Sequence, residues 1–201
     1  MVNELESTLE APLCDRELLM RGRRIKLLAT DVDGVLTDGS VYYSAAGEVL
    51  KRFSVRDGMG VERLRADGVE IAFVTRETSP IVARRAEKLK IRFCYLGVAD
   101  KRAMLPRIMD DAGIEPGQLA YIGDDFNDAE IMAAVAMAGL VGAPLDAVPP
   151  LLCRAHYRCR APGGYGAFRD FAEWILQLRA RARQAGARES REQTSWSERL
   201  S

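Results

Sequence analysis

The chain has 201 residues, 48% of them apolar, and its 29 basic and 29 acidic side chains cancel, so it has the size of one domain with a sizeable core and no electrostatic draw toward nucleic acid or an anionic membrane. No apolar run approaches the roughly 20 residues of a spanning helix, and acids at Glu4, Glu6 and Glu10 argue against a signal peptide. The four cysteines form no CxxC pair and His156 is the only histidine, which disfavours zinc, a disulfide framework and a histidine-based triad, and fits reduced thiols in a cytoplasm.

In chain order, residues 1–24 read as a polar leader with room for a short helix. Ile25–Thr30 is a largely apolar run about one strand long with no alternation, the pattern of a strand covered on both faces. Val41–Tyr43 and Val49–Phe53 flank a five-residue loop and predict a β-hairpin over 41–53. A helix capped by Asp57 is expected to run to about Ala66, and Val69–Thr75 is a second core strand. Ser79-Pro80 opens a helix to about Lys90, followed by strand Ile91–Tyr95 and a helix Lys101–Ala112 closed by Gly113. Strand Leu119–Ile122, helix Asp125–Val135 and short strand Met137–Val141 come next. Gly163-Gly164-Tyr165-Gly166 precedes an apolar helix from Ala167 to about Leu178, and the Arg-rich remainder, 179–201, reads as a flexible tail. Strands alternating with helices at this spacing predict an α/β fold, a parallel sheet with helices on both faces, whose ligand lies at the carboxyl ends of the strands.

The residues at those ends share one chemistry. Asp31 and Asp33 follow the first strand, Thr75 the second, Lys101 the third, and Gly123-Asp124-Asp125-Phe126-Asn127-Asp128 the fourth. Clustered carboxylates repel unless a cation neutralises them, and hard oxygen ligands without histidine or cysteine favour Mg²⁺. A lysine and a hydroxyl beside such a metal suit the oxygens of a phosphate. Asp125 fits a helix N-cap as well as a ligand, and Asn127 a helix start.

This order of motifs, DVDGVLT, Thr75, Lys101 and GDDFND, resembles the haloacid dehalogenase superfamily of phosphatases over about half the chain. The resemblance implies Asp31 as nucleophile, through an aspartyl phosphate, and Asp33 as general acid and base. It also implies Mg²⁺ held by the Asp31 side chain, the Asp33 carbonyl and Asp124, with Asp128 beside them, and a phosphoryl group held by Thr75 and Lys101. Neither Asp33–Thr75, with a hairpin and one helix, nor Thr75–Lys101, with one helix and one strand, has room for a cap domain. An open site of this kind takes a macromolecular substrate or is completed by a neighbouring subunit.

Together with FSVRDGMG, GVADK and GGYGAFRDF, the pattern from Ile25 to Leu178 resembles the 3-deoxy-D-manno-octulosonate 8-phosphate phosphatase family. That resemblance implies a capless homotetramer whose hairpins pack together and whose subunits complete one another's sites. It implies a sugar acid phosphate as substrate and offers Arg56, Asp57, Gly58, Gly163, Gly164, Tyr165 and Arg169 as substrate-side residues. Where that family reads TGR, this chain reads Thr75-Arg76-Glu77. Glu77 with Lys88 resembles the branch acting on nine-carbon keto acids, 2-keto-3-deoxynononate or acylneuraminate 9-phosphate. Glu77 can accept hydrogen bonds from sugar hydroxyls and Lys88 can meet a carboxylate. The expectation is therefore the nine-carbon ester, with the octulosonate ester of lipopolysaccharide biosynthesis as the alternative. Arg76 has no role in either pattern. A non-catalytic oligomerisation module of the same fold is disfavoured by the intact Asp31, Asp33, Lys101 and Asp124.

Overall fold

The computed structural model describes residues 13–198. Helix α1 (Asp15–Arg24) leads into strand β1 (Leu27–Thr30), the hairpin strands β2 (Tyr42–Ser44) and β3 (Gly47–Leu50), and helix α2 (Val55–Ala66). Then follow β4 (Glu70–Val74), α3 (Pro80–Lys88), β5 (Phe93–Tyr95), α4 (Leu105–Ala112), β6 (Leu119–Ile122), α5 (Ala129–Ala136), β7 (Leu140–Ala143), α6 (Pro149–Arg154), β8 (Tyr157–Arg158) and α7 (Ala167–Glu198). The main sheet has the order β5-β4-β1-β6-β7-β8, and every pair in it is parallel.

The two-residue period of β1 sorts its side chains into two cores. Leu28 packs with Ile71, Phe73 and Ile122 beneath α2, α3 and α7, through Leu64, Val82 and Phe168. Leu27 and Ala29 face the other way, against Ile108 of α4, Ile131 and Met132 of α5 and Leu151 of α6. After β1 the chain builds outward through β4 and β5, then returns to the other side of β1 with β6. The order reverses there, so the carboxyl ends of β1, β4 and β6 border one crevice.

Several predicted boundaries move. The hairpin turns tightly at Ala45-Ala46, with Gly47 at φ +110°, instead of through five residues. Ser54, whose side chain accepts from the Arg56 N–H, caps α2, so Asp57 lies inside the helix. Lys101 sits in a turn and α4 begins at Leu105, where Pro106 occupies the first helical turn and needs no N–H partner. Residues 126–128 form a 3-10 turn ahead of α5, and the sequence reading missed α6 and β8.

The terminal boundaries also change. Residues 1–12 of the expected leader lie outside the described residues, but α1 packs into the domain. A Cβ at Gly22 would stand 2.5 Å from Leu178 of α7, and Arg21 donates to the carbonyls of Ala136 and Gly139. The predicted flexible tail is helical through Glu198. Arg179 holds it down, donating to the Ile25 carbonyl at 2.6 Å and to Asp67, which Arg183 also pairs.

Candidate active site

Asp31 continues the hydrogen-bonding line of β1, donating its N–H to the Ile122 carbonyl at 3.0 Å. Its side chain therefore leaves the sheet at the crevice. Oδ1 accepts from the Val32 N–H, and Oδ2 lies 2.6 Å from Lys101 Nζ. The same ammonium donates to Asp128 Oδ1 at 2.7 Å, and the Tyr121 hydroxyl donates to that oxygen at 2.5 Å. Asp128 Oδ2 accepts the Asp124 N–H at 3.1 Å, so both oxygens of Asp128 are engaged. Thr75 is buried at the end of β4, where its Oγ1 accepts from the Glu77 N–H.

Asp31, Asp124 and Asp128 each place a carboxylate oxygen within 4.8 Å of the others. Burial first, then the charge of Asp128, raises the Asp31 carboxyl to about 7, against the pull of Lys101. Burial, with Asp31 and Asp128, raises Asp124 to about 8. Burial works to lower the Lys101 ammonium, but Asp31 and Asp128 more than offset it and its pKa stays raised. Ionising all three carboxylates against one ammonium would leave two negative charges unmatched, and Asp124 Oδ1 is buried with no hydrogen-bond partner among the described residues. A divalent cation answers both features, and the all-oxygen donor set suits a hard one.

Glycine makes this crowding possible. A Cβ at Gly34, whose φ is +86°, would lie 1.9 Å from Asp124 Oδ2, and one at Gly123 would lie 2.4 Å from Asp128 Cγ. The glycine segment predicted to be substrate-side packs on the same loop. A Cβ at Gly163 would stand 1.9 Å from the Gly34 carbonyl oxygen, and the Gly164 N–H donates to the Val35 carbonyl. The result is an open cleft of about 530 Å³ lined by Asp31, Asp33, Thr75, Arg76, Glu77 and Asp124, with Asp125 and Asn127 on one side.

Relatives and solved structures carry the same architecture. The 3-deoxy-D-manno-octulosonate 8-phosphate phosphatase of Yersinia pestis is 40% identical over 169 residues, 84% of this chain and 88% of the relative. The cobalt-bound structure of the Haemophilus influenzae phosphatase aligns with a TM-score of 0.76 at 38% identity, covering 81% of this chain and 93% of that one. A Moraxella catarrhalis 3-deoxy-D-manno-octulosonate 8-phosphate phosphatase, in complex with magnesium, phosphate and the octulosonate, aligns with a TM-score of 0.76 at 34% identity, over 86% of this chain and 97% of that one. The chain belongs to the 3-deoxy-D-manno-octulosonate 8-phosphate phosphatase family. No family model matches it. Within this family and the wider haloacid dehalogenase superfamily it is a phosphoric monoester hydrolase with a divalent-metal site, acting on a sugar acid phosphate.

The fold brings Asp31, Asp33, Thr75, Lys101, Asp124 and Asp128 together, and Glu77 joins them on the cleft rim. It does not bring the remaining predicted residues to the cleft of the same chain. Lys88 is exposed at the end of α3. Arg56 is exposed at the start of α2, and Gly58 packs beside Arg85 and Leu89. Asp57 is buried, and its Oδ1 accepts the Arg169 N–H at 2.9 Å, so it caps α7 rather than its own helix. The Arg169 guanidinium pairs with Glu173. Tyr165 is exposed, with the Arg52 guanidinium 4.0 Å from its ring centroid.

Two neighbours of the site escaped the sequence reading. Tyr121, the one hydroxyl in the buried strand LAYI, was the only local hint of a partner for Asp128. Lys51, just past β3, reads as an ordinary surface lysine yet is buried, with its Nζ 2.6 Å from Asp33 Oδ1 and 3.2 Å from Glu48. His156 is no catalytic base. It lies between α6 and β8, and its Nδ1 accepts the Val141 N–H.

Proposed function

We propose that this chain is a Mg²⁺-dependent 3-deoxy-D-manno-octulosonate 8-phosphate phosphatase working through an aspartyl phosphate on Asp31. The buried triangle of Asp31, Lys101 and Asp128 beside Asp124 carries the chemistry. The name shared by the relatives, and the magnesium, phosphate and octulosonate in the Moraxella complex, support the choice of substrate.

The Asp31 carboxylate attacks phosphorus while Thr75 and Lys101 hold the phosphoryl oxygens as their charge redistributes. Asp33 gives a proton to the departing sugar oxygen and then takes one from the water that hydrolyses the acyl phosphate. Asp31, the Asp33 carbonyl and Asp124 would hold Mg²⁺, which would supply positive charge beside the transferring group and neutralise the acid cluster. Asp128, with both oxygens engaged, holds Lys101 and the Asp124 backbone in place.

The nine-carbon reading rests on Glu77, which lines the cleft; Lys88 does not line it in the same chain. The test is kcat/KM in Mg²⁺ on 3-deoxy-D-manno-octulosonate 8-phosphate and 2-keto-3-deoxynononate 9-phosphate side by side. A tenfold preference for the first, about 1.4 kcal/mol of transition-state binding, is expected. The opposite preference would overturn the eight-carbon reading and assign Glu77 to specificity.

We further propose a cytoplasmic homotetramer. Tyr42, Tyr43, Val49 and Leu50 leave the hairpin with exposed apolar side chains, the kind of surface that a neighbouring subunit would cover. The cysteines are free, and no described helix is long and apolar enough to cross a membrane. Solution scattering at micromolar concentration is expected to give four copies; a monomer would rule this out.

A further inference from the structure

Lys51 is unusual among the cations of this fold. It is 5% exposed and stands where the hairpin rejoins the domain. Its Nζ donates to Asp33 Oδ1 at 2.6 Å, and the Thr37 hydroxyl donates to the same oxygen at 3.3 Å. Asp33 Oδ2 is buried and has no hydrogen-bond partner among the described residues. The two carboxylate oxygens are thus distinguished: in a residue that lines the cleft, one oxygen is tied down by two donors and the other has none. A buried lysine loses solvation and side-chain entropy, and that cost is met only by strong local interactions. Thr37 is itself locked, since its Oγ1 also accepts the N–H groups of Gly34 and Gly39. The next residue along, Arg52, pairs with Asp38 and stacks on Tyr165. Consecutive residues leaving the hairpin therefore grip both ends of the segment from Asp33 to Asp38.

We propose that Lys51 is a positioning residue for the proton-transfer step, anchoring Asp33 Oδ1 so that Oδ2 is the oxygen presented to the leaving group. This rests on the reading of Asp33 as the group that protonates the sugar oxygen. In that step Asp31 forms a bond to phosphorus and the bond from phosphorus to the sugar oxygen breaks. The proton on Asp33 Oδ2 passes to that oxygen, leaving Asp33 as a carboxylate. A sugar alkoxide is too basic to depart without the proton, whereas p-nitrophenolate departs as the anion. Lys51 therefore matters for the first kind of ester and little for the second. It also ties the placement of the hairpin to the catalytic loop, since nothing else in the hairpin reaches Asp33 among the described hydrogen bonds.

The experiment compares wild type, Lys51→Met and Lys51→Arg on 3-deoxy-D-manno-octulosonate 8-phosphate and on p-nitrophenyl phosphate. The readout is kcat/KM, which reports steps up to departure of the leaving group. General acid catalysis is worth about 10²–10⁴ in rate, so Lys51→Met is expected to lose about 30-fold or more on the sugar ester. On the aryl ester it should lose less than about threefold, and Lys51→Arg should recover most of the sugar-ester rate. Equal losses on both esters would mean that Lys51 only pins the hairpin, and an unchanged sugar-ester rate would remove it from catalysis; either overturns the proposal. If Lys51→Met does not fold, Lys51→Gln is read by the same ratio of losses. A wild type that hydrolyses neither ester would overturn the proposed function itself, which separates that failure from one confined to Lys51.

Discussion

On the floor of the cleft, Asp31 is 4% exposed and Asp128 fully buried, and each is held by partners from other strand ends. On the hairpin beside it, Tyr43 is 71% exposed, and Glu77 and Arg76 on the rim are exposed as well. The floor is a closed set of mutual contacts. Moving one member leaves another charge buried without its counter-charge, which is strongly unfavourable. The rim has no such closure among the described residues, so a change there leaves no buried charge without its counter-charge. The groups suited to phosphoryl chemistry are therefore locked together on the floor, whereas Arg76 and Glu77 stand exposed on the rim. Lys51 connects the two, because it is rooted in the hairpin and ends on Asp33.

The sharpest test of the floor is Asp31→Asn. It removes the nucleophile while keeping its shape, and is expected to lower kcat on any phosphate ester by about 10⁴-fold or more, with the circular dichroism spectrum retained. Residual turnover near wild type would break the claim that the floor carries the chemistry. A smaller effect is expected where the glycine segment meets the floor. Gly163→Ala forces a Cβ to 1.9 Å from the Gly34 carbonyl oxygen, a clash of backbone that cannot rotate away. It should cost about 2 kcal/mol or more in denaturant unfolding and about tenfold in kcat. Gly47→Ala, at φ +110° on the hairpin with nothing within 4 Å, should cost only about 1 kcal/mol and leave kcat unchanged. Equal effects at the two glycines would erase the distinction between floor and rim.

The smallest effect expected lies away from both. Burial and the nearby Arg21 lower His156 from 6.5 to about 4, and its Nδ1 accepts a backbone N–H in the neutral form. The unfolded chain binds this proton more readily, so its contribution to stability is complete above pH 6.5 and is lost as pH falls toward 4. Thermal melts across that window should fall more steeply for wild type than for His156→Gln, whose amide oxygen can accept the same bond without titrating. After allowance for solvent screening the difference is about 1 kcal/mol, or roughly 2–4 °C in Tm. Parallel profiles would show that His156 is solvated in the folded state.

The parts of the site legible in the sequence were those in which local order and spatial order coincide. Strands of a parallel sheet deliver their next residues to one edge, so Asp31, Asp33, Thr75, Lys101 and Asp124 could be gathered from their positions after apolar runs. Elements whose identity depends on distant partners were not legible. Asp57 resembled a cap for its own helix, but the N–H group it accepts belongs to Arg169, 112 residues later. The tail resembled a disordered segment because it is rich in Arg, Glu, Gln and Ser. Arg179 and Arg183 meet Asp67 across the fold, and α7 continues to Glu198. The short strand β8 gave no periodic signal, since two residues are too few to show one.

By itself, then, the sequence determined the sheet, the absence of a cap insertion and the set of acids at the strand ends, because each is written in short-range periodicity and spacing. Only the tertiary structure decided how those acids share their partners. It places Lys101 between Asp31 and Asp128 and engages both oxygens of Asp128. It leaves Asp124 Oδ1 open and brings a hairpin lysine to Asp33. Charges buried together must be balanced in space, and that balance depends on distances that no spacing along the chain records.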